Sequence, residues 1–485
     1  MDKNFNIKED KSQFQKEQND LLKVVLSERY FKPWSLSPSD KTISSVPAGH
    51  LEIYITSHCN QHCEYCYLVN NPEIYPKEFL DKDTILENLR ALYQWIWENE
   101  FNIPQVEFFT GEIWHSNYGF EVLDITLEYL KKGMQFQQIL IPSNCSFVRD
   151  KKTLEKMQFY INNFSQIGVS LAFSVSVDGK IVDAQVRPGS QENIYTDEFY
   201  DTLFEFAKFN GFGFHPMLAA CDVHLWIENY KWWKSQIEKY GLDMGDVMIL
   251  EVRNGDWTPE AVEEFCKFEK YLIDDLVERN LGDIGKACEE CFGINQTYLD
   301  KHGCQLSGAE QRSYMPHHLA ETDEFLGCTI QNVMTVRLGD LAICPCHRTA
   351  YNKNLFGWFV KDDKGRICDI KANNPQLAIR TLLVNNVTAT LGCDACIYNR
   401  YCMTPCCGQQ MEKYNDMFRI DPVVCNFLKT KHKFLISYYK EIGFLDWIKD
   451  NITPYHVFYP KAENLLKFYE DVKEEELNEK LDKCR

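Results

Sequence analysis

The chain has 485 residues, of which 45% are hydrophobic and 25% charged, a balance typical of globular proteins with roughly two or three domains. A formal net charge of −19 disfavours nucleic acid as a partner, because a phosphate-binding surface needs basic stripes. No window holds the roughly eighteen apolar residues of a membrane helix, and the first twenty residues lack the apolar stretch of a signal peptide. We therefore expect a cytoplasmic protein without a membrane partner.

From residue 50 onward, short β-branched and aromatic runs alternate with stretches of helical periodicity. Six candidate strands lie at 51–56, 105–110, 138–143, 171–177, 212–217 and 247–252. Helical stretches begin at Lys82 and at Pro259, where Thr258 is a candidate N-cap. Alternating strands and helices predict a parallel sheet with right-handed crossovers. Six units are two fewer than a full eightfold barrel has, so we predict an α/β fold with a partial (β/α)6 TIM-like barrel at 50–285.

The remaining segments have other textures. Residues 1–49 form a polar N-terminal segment. Residues 286–430 are rich in cysteine and in short segments, which predicts a second domain organised by metal. Residues 431–485 return to aromatic-rich helical periodicity and predict a C-terminal helical tail.

The chain contains 20 cysteines. In a reducing cytosol, cysteines more often bind metals, act in catalysis or pack as small apolar side chains than form disulfides. Directly after the first strand, the stretch "SHCNQHCEYCYL" places Cys59, Cys63 and Cys66 in the spacing C-x3-C-x2-C. Three thiolates are one short of a structural zinc site and one short of a closed iron–sulfur cluster. A zinc loop is the serious alternative to a cluster with one open position.

Polar residues also follow other predicted strands. The carboxyl ends of parallel strands meet at one edge of a barrel, where functional residues lie. The second strand leads into Gly111 and Glu112, the third into Asn144, and the fourth carries Ser176, with Arg187 further on. Taken singly, Glu112 and Arg187 are as compatible with surface ion pairs, and Asn144 with a turn. Their recurrence at one edge predicts a pocket.

These motifs resemble those of the radical S-adenosylmethionine superfamily. In that family, a C-x3-C-x2-C loop holds a [4Fe–4S] cluster by three irons, and the fourth iron binds the amino and carboxylate groups of S-adenosylmethionine. The resemblance implies that Cys59, Cys63 and Cys66 are the ligands and that Tyr65 lies near the adenine.

The resemblance also assigns the other cofactor-binding residues. Gly111 and Glu112 match the family's glycine–glycine–glutamate motif, which receives the methionine ammonium, although Thr110 replaces the first glycine. Ser176 and Arg187 match the residues for the ribose hydroxyls and the methionine carboxylate, at a spacing one residue shorter than usual. Asn144 is placed with this group.

A second cysteine set lies in the cysteine-rich region. Gly339, in "RLGDLAIC", predicts a hairpin that folds Cys344 back toward Cys328. The set comprises Cys328, Cys344, Cys393, Cys396, Cys402, Cys406 and Cys425. A structural zinc ribbon also uses C-x2-C knuckles, but it needs four ligands and not seven.

This sevenfold pattern resembles the SPASM domain, a C-terminal extension of radical S-adenosylmethionine enzymes that holds two auxiliary [4Fe–4S] clusters. The resemblance implies a distal cluster on Cys393, Cys396, Cys402 and Cys425, and a proximal cluster on Cys328, Cys344 and Cys406. The fourth proximal ligand of relatives falls at Thr322 or Asp323 here. Cys304, the Cys288/Cys291 pair, Asp323 or an open iron are the alternatives.

The resemblance implies an oxidoreductase-type reaction. An electron, from a low-potential donor such as flavodoxin or ferredoxin, cleaves S-adenosylmethionine to methionine and a 5′-deoxyadenosyl radical, which takes hydrogen from a peptide or protein substrate. The first hypothesis is a maturase for a ribosomally made peptide that forms a crosslink, an epimer or an oxidised residue. An anaerobic sulfatase-maturing type of enzyme, a non-enzymatic metal-binding adaptor and a small-molecule dehydrogenase are the alternatives.

Two residues after Cys344 are candidate catalytic groups. Sulfatase maturases have an aspartate directly after the cysteine that matches Cys344, and here Pro345 stands there, which cannot act as a base. Cys346 and His347 follow and are candidates for proton acceptor or hydrogen donor. A buried structural role for Cys346 is equally compatible with the sequence.

Overall fold

The structure, a computed structural model, describes residues 7–29, 50–75, 81–109, 111–187, 194–242, 246–252, 255–292, 333–351, 355–382, 393, 395–399, 401–402, 406–456 and 458–483. The predictions on Thr110, Cys304, Thr322, Asp323 and Cys328 lie outside the described residues.

The strands, numbered along the chain, are β1 (His50–Tyr54), β2 (Asn102–Phe109), β3 (Gln135–Ser143), β4 (Ser170–Val175), β5 (Met217–Leu218), β6 (Leu250–Glu251), β7 (Val333–Arg337), β8 (Ala342–Cys344), β9 (Gly357–Lys361) and β10 (Ile367–Ala372). The helices of the barrel region and the segment before it are α1 (Ile7–Arg29), α2 (Tyr67–Asn70), α3 (Lys82–Glu98), α4 (Gly119–Lys131), α5 (Lys151–Gln166), α6 (Lys180–Val186), α7 (Asp197–Asn210), α8 (Trp226–Tyr240), α9 (Pro259–Arg279) and α10 (Ile284–Phe292). Those that follow are α11 (Pro375–Leu382), α12 (Cys407–Tyr414), α13 (Pro422–Glu441), α14 (Phe444–Asn451) and α15 (Tyr459–Lys483).

The predicted partial barrel is confirmed. Strands β1, β2, β3 and β4 lie side by side in that order, and each pair is parallel. Parallel bridges join Val175 to Phe214 and Phe214 to Val247, and β5 pairs in parallel with β6. The fifth and sixth strands are shorter than predicted. In the fifth strand, Pro216 lacks the N–H group that a continuous ladder requires.

The two faces of the sheet differ in polarity because successive side chains of a strand point to opposite sides. Leu51 and Ile53 of β1 belong with Val106 and Phe108 of β2 to the main hydrophobic core, which also includes buried residues of α3. Full burial of such a side chain contributes about 2 kcal/mol. We call the opposite face the inner face; it carries Glu52, Tyr54, Glu107, Phe109 and Thr335. The inner face therefore carries buried polar side chains, namely Glu52, Glu107 and Thr335.

The predicted hairpin is also confirmed, because β7 and β8 pair antiparallel with Thr335 opposite Cys344. The residue of the turn with left-handed backbone is Leu341, at φ 58°. The sequence did not predict that β7 pairs in parallel with β1, with Val336 opposite Ile53. As a result, one eight-stranded sheet runs in the order β10-β9-β8-β7-β1-β2-β3-β4, across the predicted boundary at residue 286.

Terminal helices pack on this sheet and on the barrel. Helix α1 covers the edge of β10, where Gln15 Nε2 donates to the Ala372 carbonyl (3.1 Å) and Ala372 N donates to Asn19 Oδ1 (2.8 Å). The predicted cap of α9 is present, since Thr258 Oγ1 accepts from Ala261 N (3.3 Å). The predicted helical tail is present as α13, α14 and α15, and it begins at Pro422 rather than at 431. Within the described ranges, no helix combines the length and apolar character needed to cross a membrane.

Candidate active site

The loop that contains Cys59, Cys63 and Cys66 is hydrogen-bonded to the residues that follow β2. Gly111 N donates to the Thr56 carbonyl (2.8 Å), and Glu112 N donates to the His58 carbonyl (2.7 Å). A Cβ atom on Gly111 would lie 2.3 Å from the His58 carbonyl oxygen and 2.8 Å from that of Ser57. No side chain fits there, so a glycine is required for the close approach of the two chain segments. The glycine and glutamate of the sequence motif and the cysteine loop therefore form one structural unit.

The three cysteines are free thiols in this loop. Cys59 Sγ lies 4.0 Å from Asn144 Nδ2, and Cys63 Sγ lies 3.6 Å from Gln61 Oε1. Cys66 precedes the first residue of α2. Burial raises the pKa of all three thiols, that of Cys63 to about 12, because a low dielectric disfavours the thiolate. Binding of iron as thiolates would therefore release protons from this loop.

Two guanidinium groups lower the pKa values of these thiols and so act against burial. Arg187 acts to lower the pKa of the Cys63 thiol, and Arg187 and Arg348 act in the same direction on Cys66. An iron–sulfur cluster held by thiolates carries net negative charge, so positive charges beside the loop fit such a group. Among the described residues, no three Cys, His, Asp or Glu side chains are grouped as ligands of a metal ion. A cubane cluster bonds each thiolate to a different iron, and its cysteines lie farther apart than the ligands of one ion.

Glu112 is a buried carboxylate with a dense set of donors. Its side chain is 1% exposed. Ser143 Oγ donates to it at 3.0 Å and Asn144 N at 2.8 Å. Burial raises the pKa of Glu112 to about 7, and the hydrogen bonds from Asn144 N, Ser143 Oγ and Trp114 N act in the opposite direction. A positive group bound beside this carboxylate would lower its pKa again and favour the ionised form.

Asn144 connects this carboxylate site to the cysteine loop. Its Nδ2 donates to Asn60 Oδ1 (2.8 Å), and its Oδ1 accepts from Ser146 N (2.9 Å). The second bond is a turn contact, so the residue serves both the turn and the loop. Half-buried Ser176 lies on the neighbouring strand end, where its N–H donates to the Ser143 carbonyl (2.8 Å).

Arg187 is held by a buried carboxylate. Its Nε lies 2.5 Å from Asp178 Oδ2, and its Nη2 donates to Asp178 Oδ1 (2.8 Å). One Nη1–H donates to the Ser176 carbonyl. The Tyr65 hydroxyl donates to the same Asp178 carboxylate (2.5 Å). Asp178, just after β4, thus holds Tyr65 of the loop and Arg187 at the end of α6 in one network.

His347 lies against the inner face. Its ring stacks on Phe109, with centroids 3.6 Å apart and planes 12° apart. Its Nδ1 lies 3.1 Å from Glu52 Oε1, and its backbone N–H donates to Glu52 Oε2 (3.0 Å). Thr335 Oγ1 donates to the same carboxylate (2.5 Å). In the tautomer with the proton on Nδ1, Glu52 accepts from that nitrogen, and Nε2 is the ring nitrogen left to accept a proton from a ligand.

The two neighbouring cysteines lie in different clusters. Cys344 is paired with Thr335 and so shares the inner face, and Cys346 is buried in a small apolar cluster with Cys407, Met411 and Met417. Cys344 is buried in a different cluster that includes Tyr54 and Leu355. Burial raises the pKa of the Cys344 thiol to about 12. Of the two candidate catalytic residues, His347 contacts Phe109 and Glu52 of the inner face, and the role of Cys346 stays a prediction.

The remaining cysteines of the second set are partly described. Cys396 N donates to the Cys393 carbonyl (2.9 Å), and Cys402 N donates to the Tyr398 carbonyl (2.9 Å), so the stretch turns twice. Cys425, at the start of α13, is near enough to Cys396 for the two thiols to interact electrostatically. This proximity of residues far apart in sequence fits a shared cluster.

The sequence alternatives for the fourth proximal ligand are partly described as well. Cys288 and Cys291 are buried in the main hydrophobic core. Their sulfur atoms lie 3.9 Å from the Phe444 carbonyl and from the Tyr439 hydroxyl. Both thiols are packed between helices.

Sequence reasoning missed Glu52 and Arg348 and did not assign a role to Asp178. The available signal for Glu52 was a single carboxylate within the apolar run "LEIYIT". A charged residue at a strand position that alternates with buried aliphatic residues points into a barrel. Arg348 had no comparable signal, because its partners come from distant segments.

Comparisons with known proteins complete the description. No known protein family's model matches the chain, and no curated protein matches it. Solved structures are similar to it. Native anSMEcpe, an anaerobic sulfatase-maturating enzyme, with bound AdoMet and Cp18Cys peptide shares 15% identity at a TM-score of 0.48, over 83% of this chain and 100% of that chain.

Two further similar structures also contain bound AdoMet. A histidine-tagged form of anSMEcpe with bound AdoMet shares 14% identity at a TM-score of 0.47, over 87% of this chain and 98% of that chain. BtrN in complex with AdoMet and 2-DOIA shares 14% identity at a TM-score of 0.26, over 64% and 77% of the two chains. Identities and TM-scores this low carry no conclusion about function, which is inferred below from the residues of this chain.

Proposed function

We propose that this chain is a radical S-adenosylmethionine enzyme with auxiliary iron–sulfur clusters that modifies a ribosomally made peptide. The observation that carries the proposal is the contact of Gly111 and Glu112 with the cysteine loop. It brings a buried carboxylate and three thiols together at the carboxyl ends of parallel strands, and two guanidinium groups act on the same thiols. When bound on Cys59, Cys63 and Cys66, a [4Fe–4S] cluster would supply the electron that cleaves S-adenosylmethionine.

The residues around the loop have distinct tasks in this proposal. Glu112 receives the methionine ammonium, because a buried carboxylate with a raised pKa gains most from a positive partner. Arg187 has five N–H groups, of which Asp178 and the Ser176 carbonyl occupy three. The other two have no partner among the described residues and are available to the methionine carboxylate. Tyr65, fixed by Asp178, forms a wall for the adenine.

His347 is the proton acceptor for the substrate in this proposal. Glu52 fixes its ring by accepting from Nδ1, and Phe109 fixes the ring plane. Oxidation of a substrate carbon after loss of a hydrogen atom releases one proton and one electron. His347 is placed to take the proton, and an auxiliary iron–sulfur cluster, when bound by the second cysteine set, would supply an electron acceptor.

The test is anaerobic incubation of the reconstituted, reduced enzyme with S-adenosylmethionine. We expect release of 5′-deoxyadenosine by the wild type and none by the variant with Cys59, Cys63 and Cys66 all changed to alanine. Cys368→Ala, a change at an exposed cysteine outside both sets, is the matched control and should retain the release. Equal release by the triple variant and the wild type would contradict the proposal.

The substrate class needs a second measurement. Because Pro345 stands where sulfatase maturases have an aspartate, we expect no formylglycine on a sulfatase-motif peptide, but product on a precursor peptide encoded beside this gene. Mass spectrometry of both peptides distinguishes these outcomes. Formylglycine on the sulfatase-motif peptide would favour the sulfatase-maturing type instead.

A further inference from the structure

Arg348 lies between the two cysteine sets. Its guanidinium group stands 4.8 Å from the ring centroid of Tyr67, the residue directly after Cys66. Its Nη1 lies 3.9 Å from Cys406 Sγ, within donor range of a sulfur acceptor. The side chain is 12% exposed. One buried positive charge therefore contacts a cysteine of the second set and the segment that carries the first.

Helix α12 fixes this guanidinium group. Arg348 Nε donates to Glu412 Oε1 (2.9 Å), and Nη2 pairs with Glu412 Oε2. The Tyr75 hydroxyl donates to Glu412 Oε1 (2.6 Å). A Cβ atom on Gly408 would lie 2.4 Å from Arg348 Cβ, so the first turn of α12 packs directly on the arginine. Gly408 and Glu412 are four residues apart and share one helix face.

This geometry leaves one edge of the guanidinium for sulfur. Glu412 occupies Nε and Nη2, and Nη1 faces Cys406. Hydrogen bonds and positive charge at a ligand sulfur stabilise the reduced, more negative state of an iron–sulfur cluster and so raise its reduction potential. The negative charge of Glu412, paired with the same guanidinium, acts with the opposite sign.

We propose that Arg348 is a positioning residue that orients the Cys406 sulfur as a ligand and raises the reduction potential of the iron–sulfur cluster bound there. The inference rests on the proposed function, because it takes Cys406 as a cluster ligand. Arg348 belongs to neither cysteine set, and in this inference it sets the reduction potential of the cluster that accepts the electron.

The experiment is a redox titration of the anaerobically reconstituted full chain, followed by electron paramagnetic resonance. The relevant signal is the one that Cys406→Ala removes and the triple alanine change at Cys59, Cys63 and Cys66 leaves in place. Arg348→Gln should shift its midpoint to a more negative potential. Glu412→Gln, which keeps the shape and removes the negative charge, should shift it to a more positive potential.

The control is Arg366→Gln, which removes an exposed arginine paired with Asp362 in the β9–β10 hairpin and should leave the midpoint unchanged. Shifts of the same sign in Arg348→Gln and Glu412→Gln, or no shift, would overturn the inference. So would loss of the signal from Arg348→Gln alone, since Arg348 would then serve assembly only. Release of 5′-deoxyadenosine is measured separately, so that the proposed function can fail while the opposite shifts stand.

Discussion

At Glu112, burial and hydrogen bonding act against each other. Burial raises the pKa of the carboxyl group to about 7, although Ser143 and Asn144 donate to it. The pKa of this residue in an unfolded chain is the ordinary value near 4.5. The folded chain therefore binds more protons than the unfolded chain between these two values, and its stability falls as the pH rises through that window.

We predict that the pH dependence of stability changes in Glu112→Gln. Below pH 4.5 the wild-type carboxyl group is neutral in both states, and the two proteins should differ little from this cause. By pH 7.5 the wild type must ionise a buried group, so the variant should gain up to about 3 kcal/mol relative to it. Urea denaturation of the apo chain under reducing conditions, between pH 4.5 and 8, measures the difference. A constant difference across this range would contradict the raised pKa.

At the scale of elements, the end of β2 and the cysteine loop depend on each other. Their hydrogen bonds bring backbone to backbone at Gly111, with no room for a side chain. The loop receives further contacts from Asn144 after β3 and from Asp178 after β4, through Tyr65. Three strand ends thus determine where the thiols of a loop stand.

We predict that Gly111→Ala displaces the cysteine loop. A methyl group 2.3 Å from the His58 carbonyl oxygen must move backbone, which costs about 1–3 kcal/mol of folding free energy. The variant should also lose about four irons on reconstitution, the content of one cubane cluster. Gly213→Ala is a milder control, since its Cβ would lie 3.3 Å from the Asp246 carbonyl. Full iron content in Gly111→Ala would show that the loop tolerates the displacement.

At the scale of the whole molecule, the region that contains the second cysteine set is joined to the barrel. The pairing of β7 with β1 makes one sheet of both regions, and Arg348 connects the cysteine sets across them. Helix α13 carries Cys425 on one turn and packs against α9 of the barrel further along. Cluster binding in either region should therefore stabilise both.

We predict about twelve irons per chain after anaerobic purification, from three cubane clusters. The triple alanine variant of the first set should retain about eight, because the other cysteines are independent ligands. Iron analysis together with Mössbauer spectroscopy tests both numbers. A stable content near eight in the wild type would mean that the absence of a cysteine at Thr322 and Asp323 leaves the proximal auxiliary cluster unformed.

The sequence by itself determined the features that depend on local patterns. Strand–helix alternation predicted the parallel sheet, and Thr258 with Pro259 predicted the start of α9. A hairpin was also predicted near Gly339, and β7 and β8 pair there, although the residue with left-handed backbone is Leu341 and not the glycine. Cysteine spacing indicated the first loop because its three cysteines lie within eight residues, and residues this close in the chain stay close after folding.

Only the tertiary structure decided which distant residues meet. Glu52 and His347 are 295 positions apart, and their contact depends on the pairing of β7 with β1. Arg348 and Glu412 are 64 positions apart, and they meet because the first turn of α12 packs on Arg348. Periodicity reports the environment of a residue along its own element, and it contains no information on which other element supplies that environment. Packing of whole faces makes that choice, and it places His347 against Phe109 and Glu52.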